Sequence, residues 1–306
     1  MPKIKIYLII LFFIFVSTAG VFYSGKSNSP NKDLITVVNA KNILPYSKSI
    51  SPRVGIIDTG VHITNKFLPA DQIKQVTVDE FLTFPSKQIH GTMIAGIMIS
   101  NGTRGSEPQG LIPNSDLFSI QTGTDLGTTS ENLAAAIDLA IQNEIKILNI
   151  SLATSKVTEV LKNVVKRAIE KDIVILSSAG NDGGINEYFP SSYDGVISVG
   201  AIDIEGNVLG NTDIKAVDIF APGEKILTSA VEGEEEKDFI VPGNSGAVPI
   251  VTSTVAVLLT EYPELNSEQI KHLLKTSSTK KQLENGSTIN ILNVANALKE
   301  AKTLTK

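Results

Sequence analysis

The chain contains no cysteine and no tryptophan, and only three histidines, His62, His90 and His272. Without cysteine there is no disulfide framework, no thiol nucleophile, no cysteine zinc site and no lipid-bearing cysteine. Three histidines leave no histidine-rich metal cluster and confine imidazole chemistry to three positions. Basic residues are also in short supply, with 27 Lys and Arg against 32 Asp and Glu for a net charge of −5, and they form no block. That balance lacks the electrostatic footprint of a nucleic-acid binder. What the chain does have is 306 residues, 42% of them hydrophobic, enough for a large buried core.

The N-terminus stands apart. Lys3 and Lys5 precede an apolar run of 11 residues, Ile6–Val16, followed by Ser17-Thr18-Ala19-Gly20. A cationic start, an apolar stretch of that length and small residues before Gly20 have the form of a removable export signal. Counted through Phe22 the span is 17 residues, the lower limit for crossing a bilayer, so a retained anchor touching the membrane through residues 6–22 is the second reading. Residues 1–23 are thus read as signal peptide or membrane anchor, and the remainder as exported, secreted or held on the outer side. Residues 24–45, which begin SGKSNSPNKDL, read as a linker or short pro-region. Residues 46–300 read as one domain, and the terminal AKTLTK as a frayed tail.

Within that domain, short Ile/Val-rich runs alternate with helical patterns. Arg53–Asp58, Asp116–Gln121, Ile145–Ser151, Ile173–Ala179 and Val196–Ala201 are nearly continuous in hydrophobicity, as strands buried on both faces of a parallel sheet are. Helical spacing covers Gly91–Ser100, Ser130–Asn143, Thr158–Asp172, Gly246–Tyr262 and Ser267–Lys275, with Ser130, Thr158 and Ser267 as expected N-caps. The alternation predicts an α/β fold of three layers, a mostly parallel sheet with helices on both faces.

Functional groups in such folds collect at strand carboxyl ends and adjacent helix starts. Asp58 ends an apolar strand at a Gly turn, His90 opens the helix GTMIAGIMIS, and Ser245 opens the helix GAVPIVTSTVAVLL. Singly, each has a plainer reading as turn, surface or cap residue. Together they supply a carboxylate to orient an imidazole, an imidazole to take a proton and a hydroxyl to attack. Ser245 at a helix N-terminus would meet backbone N–H groups suited to an oxyanion. Asn181, in SSAGNDG after another strand, could donate a further hydrogen bond to that oxyanion.

The order Asp58, His90, Ser245 is that of the subtilisin-like serine proteases, and the chain resembles this family, the subtilases. Spacings of 32, 91 and 64 residues along Asp58, His90, Asn181 and Ser245 look like those of its compact members. Further resemblance lies in NISL (149–152), YFPSSY (188–193), VISVGA (196–201) and FAPG (220–223), so that it covers about residues 50–300. It implies a subtilisin-like peptidase domain over 46–300 and an endopeptidase acting through an acyl-enzyme, with Asp58, His90 and Ser245 as triad and Asn181 at the oxyanion. It also implies an extended polypeptide substrate lying beside 125–129 and 151–154, with Gly127, Ser151, Leu152 and Ala153 as binding residues. No cofactor is expected for the chemistry. Structural calcium is a possibility of the family, for which Asn101-Gly102 and the loop GTRGSEPQG could supply oxygens without forming a readable ligand motif. A monomer is expected.

Several positions depart from the family pattern. The nucleophile segment reads GNSGAVP, where the family usually has Thr before the Ser and Met-Ala-Ala after it. Ala153-Thr154 stand where Gly-Gly is frequent, and these side chains should narrow the first specificity pocket. Residues 20 to about 45 are too short for a folded prosegment domain. The acidic run EGEEEKD (232–238) reads as a solvated loop. Two substrate ranges stay open: a general exported protease, or dedicated processing of precursors such as lantibiotic leader peptides. The alternative from another class is a catalytically inactive subtilase-fold binding or regulatory protein, suggested by GNSGAVP. A lipase-like hydrolase fits worse, because its Ser lies in G-x-S-x-G and comes first in chain order.

Overall fold

The computed structural model describes residues 32–78, 89–102, 108–124, 127–180, 187–210, 212–224, 226–232, 235–241 and 243–305. The expected signal or anchor, residues 1–23, lies outside the described residues. In chain order the elements are α1 (Lys32–Val37), β1 (Val54–Asp58), β2 (Ile73–Thr77), α2 (Ile89–Ile99), β3 (Leu117–Gln121), β4 (Gly123–Thr124), β5 (Gly127–Thr128), α3 (Ser130–Gln142), β6 (Ile147–Ile150), α4 (Glu159–Glu170), β7 (Val174–Ser178), β8 (Ile197–Ile202), β9 (Ile219–Pro222), β10 (Ile226–Glu232), β11 (Glu235–Val241), α5 (Asn244–Glu261), α6 (Ser267–Thr276), β12 (Thr279–Gln282), β13 (Thr288–Ile291) and α7 (Val294–Leu304).

Nine strands form one sheet in the order β12-β13-β9-β8-β7-β6-β1-β3-β2. Only β12 and β13 pair antiparallel; the other neighbours run parallel. Alternating strand residues feed two separate cores. Ile56 and Ile147 face the layer of α2 and α5, among Ile94, Ile97, Val251 and Val255. Ile57, Leu148 and Ile150 face α3 and α4, among Leu133, Ile137, Leu161 and Val165. These are the two helical layers that continuous strand hydrophobicity calls for. In α5 every residue from Gly246 to Leu258 is buried, so its apolar character extends around the helix. The polar side chains there bond back to their own helix: Ser253 Oγ donates to Pro249 O at 2.7 Å and Thr254 Oγ1 to Ile250 O at 3.0 Å.

β1 has β3 on one side and β6 on the other. The winding of the chain therefore reverses at β1, and the crevice beyond the carboxyl ends of β1 and β6 is where a ligand site is expected.

Four local expectations change. The described part of the expected 24–45 linker is α1 and a following turn, with Leu34, Val38, Ala40 and Leu44 buried in the core on the α2 and α5 side. Its backbone joins the far end of the chain: Val294 N donates to Val38 O at 2.9 Å, Ala295 N to Asn39 O at 3.2 Å, and Asn39 Nδ2 to Asn293 Oδ1 at 3.0 Å. The start of AKTLTK is not frayed, because α7 runs to Leu304 and buries Ala301. The acidic run lies largely on the antiparallel pair β10 and β11 rather than in a loop. Two caps move one residue upstream, to Thr129 for α3 and Asn266 for α6, because those side chains reach the N3 amides of Asn132 and Gln269.

Asp218 ties the sheet to α6. It accepts from Ser198 N at 3.0 Å, Lys275 Nζ at 2.9 Å and Lys271 Nζ at 2.9 Å. Burial alone would raise its pKa, but Lys275, the Ser198 amide and Lys271 together hold it below the ordinary carboxylate value. A depressed folded pKa contributes stability above the unfolded value, and that contribution is lost as pH falls through the folded one. Asp218→Asn should therefore lower stability near neutrality and lose less stability than the parent between about pH 5 and pH 3, as urea midpoints at both pH values will show. A chain starting at Ser47 should be less stable than one starting at Lys32 by about 5 kcal/mol or more, at roughly 1.5–3 kcal/mol for each large apolar side chain removed. Urea unfolding of the two chains checks this.

Candidate active site

Asp58 is the last residue of β1 and is fully buried, at 0% exposure. Its Oδ1 accepts from Thr59 N at 2.7 Å and from His90 Nδ1 at 2.8 Å. His90 is the second residue of α2, and its side chain keeps 19% exposure. A carboxylate on Nδ1 selects the neutral tautomer with its lone pair on Nε2.

The helix start is pinned to the turn after β1. Gly91 N donates to Thr59 Oγ1 at 3.1 Å, and His62 N donates to Thr92 Oγ1 at 2.8 Å. A β-carbon on Gly91 would lie 2.1 Å from Gly60 O, so the two backbones touch and only glycine fits.

Ser245 is the second residue of α5 and is partly exposed. Gly243 caps the helix at φ 81° and ψ −164°, a conformation suited to glycine. Its N donates to Gly223 O at 2.7 Å, and a β-carbon on Gly223 would lie 2.5 Å from Gly243 O. The FAPG turn and the turn before Ser245 therefore meet backbone to backbone. Ser245 Oγ donates to Ser151 O at 3.3 Å, and Ser151 Oγ donates to Ser245 O at 3.3 Å. Ser151 directly follows β6, and Ile150 of β6 pairs with Ile57 of β1. His90 on Asp58 and Ser245 on Ser151 thus occupy neighbouring strand ends, with parallel strands about 4.8 Å apart.

A buried polar chain secures this arrangement. Thr252 Oγ1 bonds to Asn149 Oδ1 at 3.1 Å, and Asn149 Nδ2 donates to Ser151 Oγ at 3.1 Å. Asn244, also buried, accepts from Ala201 N at 2.7 Å and donates to Gly180 O and, at 3.2 Å, to Thr212 Oγ1. The carboxyl ends of β6, β7 and β8 are in this way all joined to the start of α5.

Of the other expected site residues, Asn181 lies outside the described residues. Ser151 and Leu152 are buried, while Ala153 and Thr154 are partly exposed. Thr154 pairs with Phe189 through hydrogen bonds of 3.0 and 2.9 Å. Gly127 is exposed at φ 117° in the small ribbon of β4 and β5. The Tyr188 ring packs against Gly180, where a β-carbon would meet it at 2.0 Å. The loop considered for calcium includes 103–107, outside the described residues. Among the described residues no group of three or more His, Asp or Glu could hold a metal ion.

A family model described as the Subtilase family matches residues 50–291. The chain belongs to the subtilase family. Like its relatives it is a subtilisin-type serine endopeptidase. It is 29% identical to subtilisin DY of Bacillus licheniformis over 243 residues, 76% of this chain and 85% of that protein. It is 25% identical to subtilisin E of Bacillus subtilis over 234 residues, 74% of this chain and 60% of that protein. Two solved structures share the subtilase fold at 22% identity. The Prenylagaramide maturation protease PagA has a TM-score of 0.72, covering 84% of this chain and 95% of that one. The nisin leader peptidase NisP from Lactococcus lactis has a TM-score of 0.70, covering 87% and 92%.

Sequence reasoning gave no role to Thr59, Gly91 and Thr252, and marked Asn149 and Gly223 only as parts of NISL and FAPG. Their signal was available in part, since polar residues inside apolar strands and glycines beside Asp58 and His90 are costly unless they bond or touch something. Gly91→Ala should separate α2 from the β1 turn and displace His90, lowering kcat by about 10²-fold or more with loss of thermal stability. Peptidase kinetics and a melting curve on the same sample check both.

Proposed function

We propose that Asp58, His90 and Ser245 form the catalytic triad of an exported endopeptidase dedicated to processing a narrow set of precursor polypeptides. The observation that carries the triad is the 2.8 Å bond from His90 Nδ1 to the fully buried Asp58. It leaves Nε2 as the base. Ser245 Oγ leaves the Ser151 carbonyl, passes its proton to Nε2 and attacks the scissile carbonyl carbon. The imidazolium is stabilised by Asp58 and returns that proton to the leaving amine as the C–N bond breaks. Water then hydrolyses the acyl-enzyme by the same proton path. The Ser245 N–H and the Asn181 side chain are the proposed oxyanion donors. The substrate lies extended beside 127–129 and 151–154, adding backbone hydrogen bonds.

Narrow specificity is favoured by side chains in the cleft. Ala153 and Thr154 add bulk to the segment after β6, and the Tyr188 ring covers Gly180 after β7. A cleft narrowed by these side chains would take a small residue before the cut. The names of the solved relatives, a maturation protease and a leader peptidase, agree with such a role. Export rests on Lys3, Lys5 and the apolar run Ile6–Val16.

Fluorophosphonate labelling of residues 26–306 tests the triad. The parent should label, and Ser245→Ala and His90→Ala should not. Each variant should lose at least about 10⁴-fold in kcat. Normal proteolysis by Ser245→Ala refutes the assignment. A peptide library should show few cleavage sites, with Gly, Ala or Ser before the cut. Casein degraded at many sites would instead mark a general protease.

A further inference from the structure

We propose that Asn244 is a positioning residue for catalysis, holding Gly180, after β7, in fixed register with the helix that carries Ser245. The inference rests on the triad reading above and extends it to a residue that touches neither substrate nor reacting atoms.

Asn244 departs from the family pattern, which usually has Thr there, and GNSGAVP is the segment on which the inactive alternative rests. The structure gives the departure a positive meaning. Asn244 is fully buried, and both ends of its carboxamide are engaged. Oδ1 accepts from Ala201 N in β8, while Nδ2 donates to Gly180 O after β7 and to Thr212 Oγ1. One acceptor and two donors are in use at once. A hydroxyl offers a single donor and could not make this set.

The bond to Gly180 matters most. Ser245 follows Asn244 directly at the helix start, and Asn181 follows Gly180 directly. Gly180 sits at φ 86°, and the Tyr188 ring occupies the side where a β-carbon would point. The Gly180 peptide is thus confined by Tyr188 on one side and by the Asn244 amide at its carbonyl. One side chain ties the Gly180 carbonyl to the helix start that carries Ser245. Buried polar contacts of this kind fix geometry because the alternative is an unsatisfied group. Transition-state stabilisation is acutely sensitive to such offsets, and about 1 Å of misplacement costs about 10²-fold in rate.

The test uses the full chain with Asn244→Ala, Asn244→Asp, Thr212→Val and Ser245→Ala. Asn244→Asp keeps the acceptor for Ala201 N and loses the donors. kcat and KM on a fluorogenic peptide, and the rate of fluorophosphonate labelling, are measured where near-UV circular dichroism is native. Both Asn244 variants should lose about 10- to 100-fold in kcat and in labelling rate, with KM within about twofold. Thr212→Val, which keeps the carboxamide but removes one of its partners, should lose a smaller factor of the same kind. A natively folded Asn244 variant with kcat within twofold of the parent overturns the proposal, as does a loss carried by KM. If neither Asn244 variant folds, an unchanged kcat in Thr212→Val overturns it. Cleavage surviving in Ser245→Ala overturns the triad itself and the inference with it, so the two failures are told apart.

Discussion

The backbone of Gly91 touches the backbone of Gly60, and the site depends on contacts of this kind. α2 reaches the carboxyl end of β1 only because no side chain stands between them. The same holds where Gly223 meets Gly243, at the turn that leads into Ser245. Two helix starts are thereby lowered onto strand ends, until a histidine can reach a buried carboxylate and a serine can sit over the next strand. Reactive groups mounted on helices and strands are held more tightly than groups on loops. The large apolar helices supply the burial that keeps those contacts closed.

Polar chemistry inside this frame is organised as bonded chains rather than isolated groups. Thr252, Asn149 and Ser151 lead from the middle of α5 to the carbonyl of Ser245. Asn244 leads from the start of α5 to Ala201, Gly180 and Thr212. Each buried donor or acceptor here would cost about 1–3 kcal/mol if orphaned, so the network penalises any shift of α5 against β6, β7 and β8. The helix is placed by greasy packing in bulk and by amides and hydroxyls in detail.

The central architecture was legible in the sequence because parallel strands buried on both faces leave a continuous Ile/Val signal. β1, β3, β6, β7 and β8 and the helices between them fall within a few residues of expectation. So do the strand-end and helix-start positions of Asp58, His90 and Ser245. What escaped has physical reasons. β12 carries Lys280 and Lys281 at the edge of the sheet, where exposure removes the apolar pattern. β10 and β11 bear the acidic run, which reads as loop composition although the backbone pairs. α1 is short and follows a polar stretch, so its buried Leu34 carries no periodic signal. The motif marks Asn244 only as unusual, because its three bonding partners lie 43, 64 and 32 residues away in sequence.

The seam between the two ends of the described chain sets when the molecule can become whole. Asn39 and Asn293, hydrogen-bonded to each other, are 254 residues apart in sequence. The buried side chains of α1 and the turn after it share a core with Val294, Ala297 and Ala301. As the chain emerges from the ribosome, Asn39 waits for a partner made 254 residues later. Closing so long a loop is entropically slow, and partial products present apolar surface meanwhile. This seam therefore cannot close until α7 has been made. Until then α1 and the turn after it have no α7 to pack against.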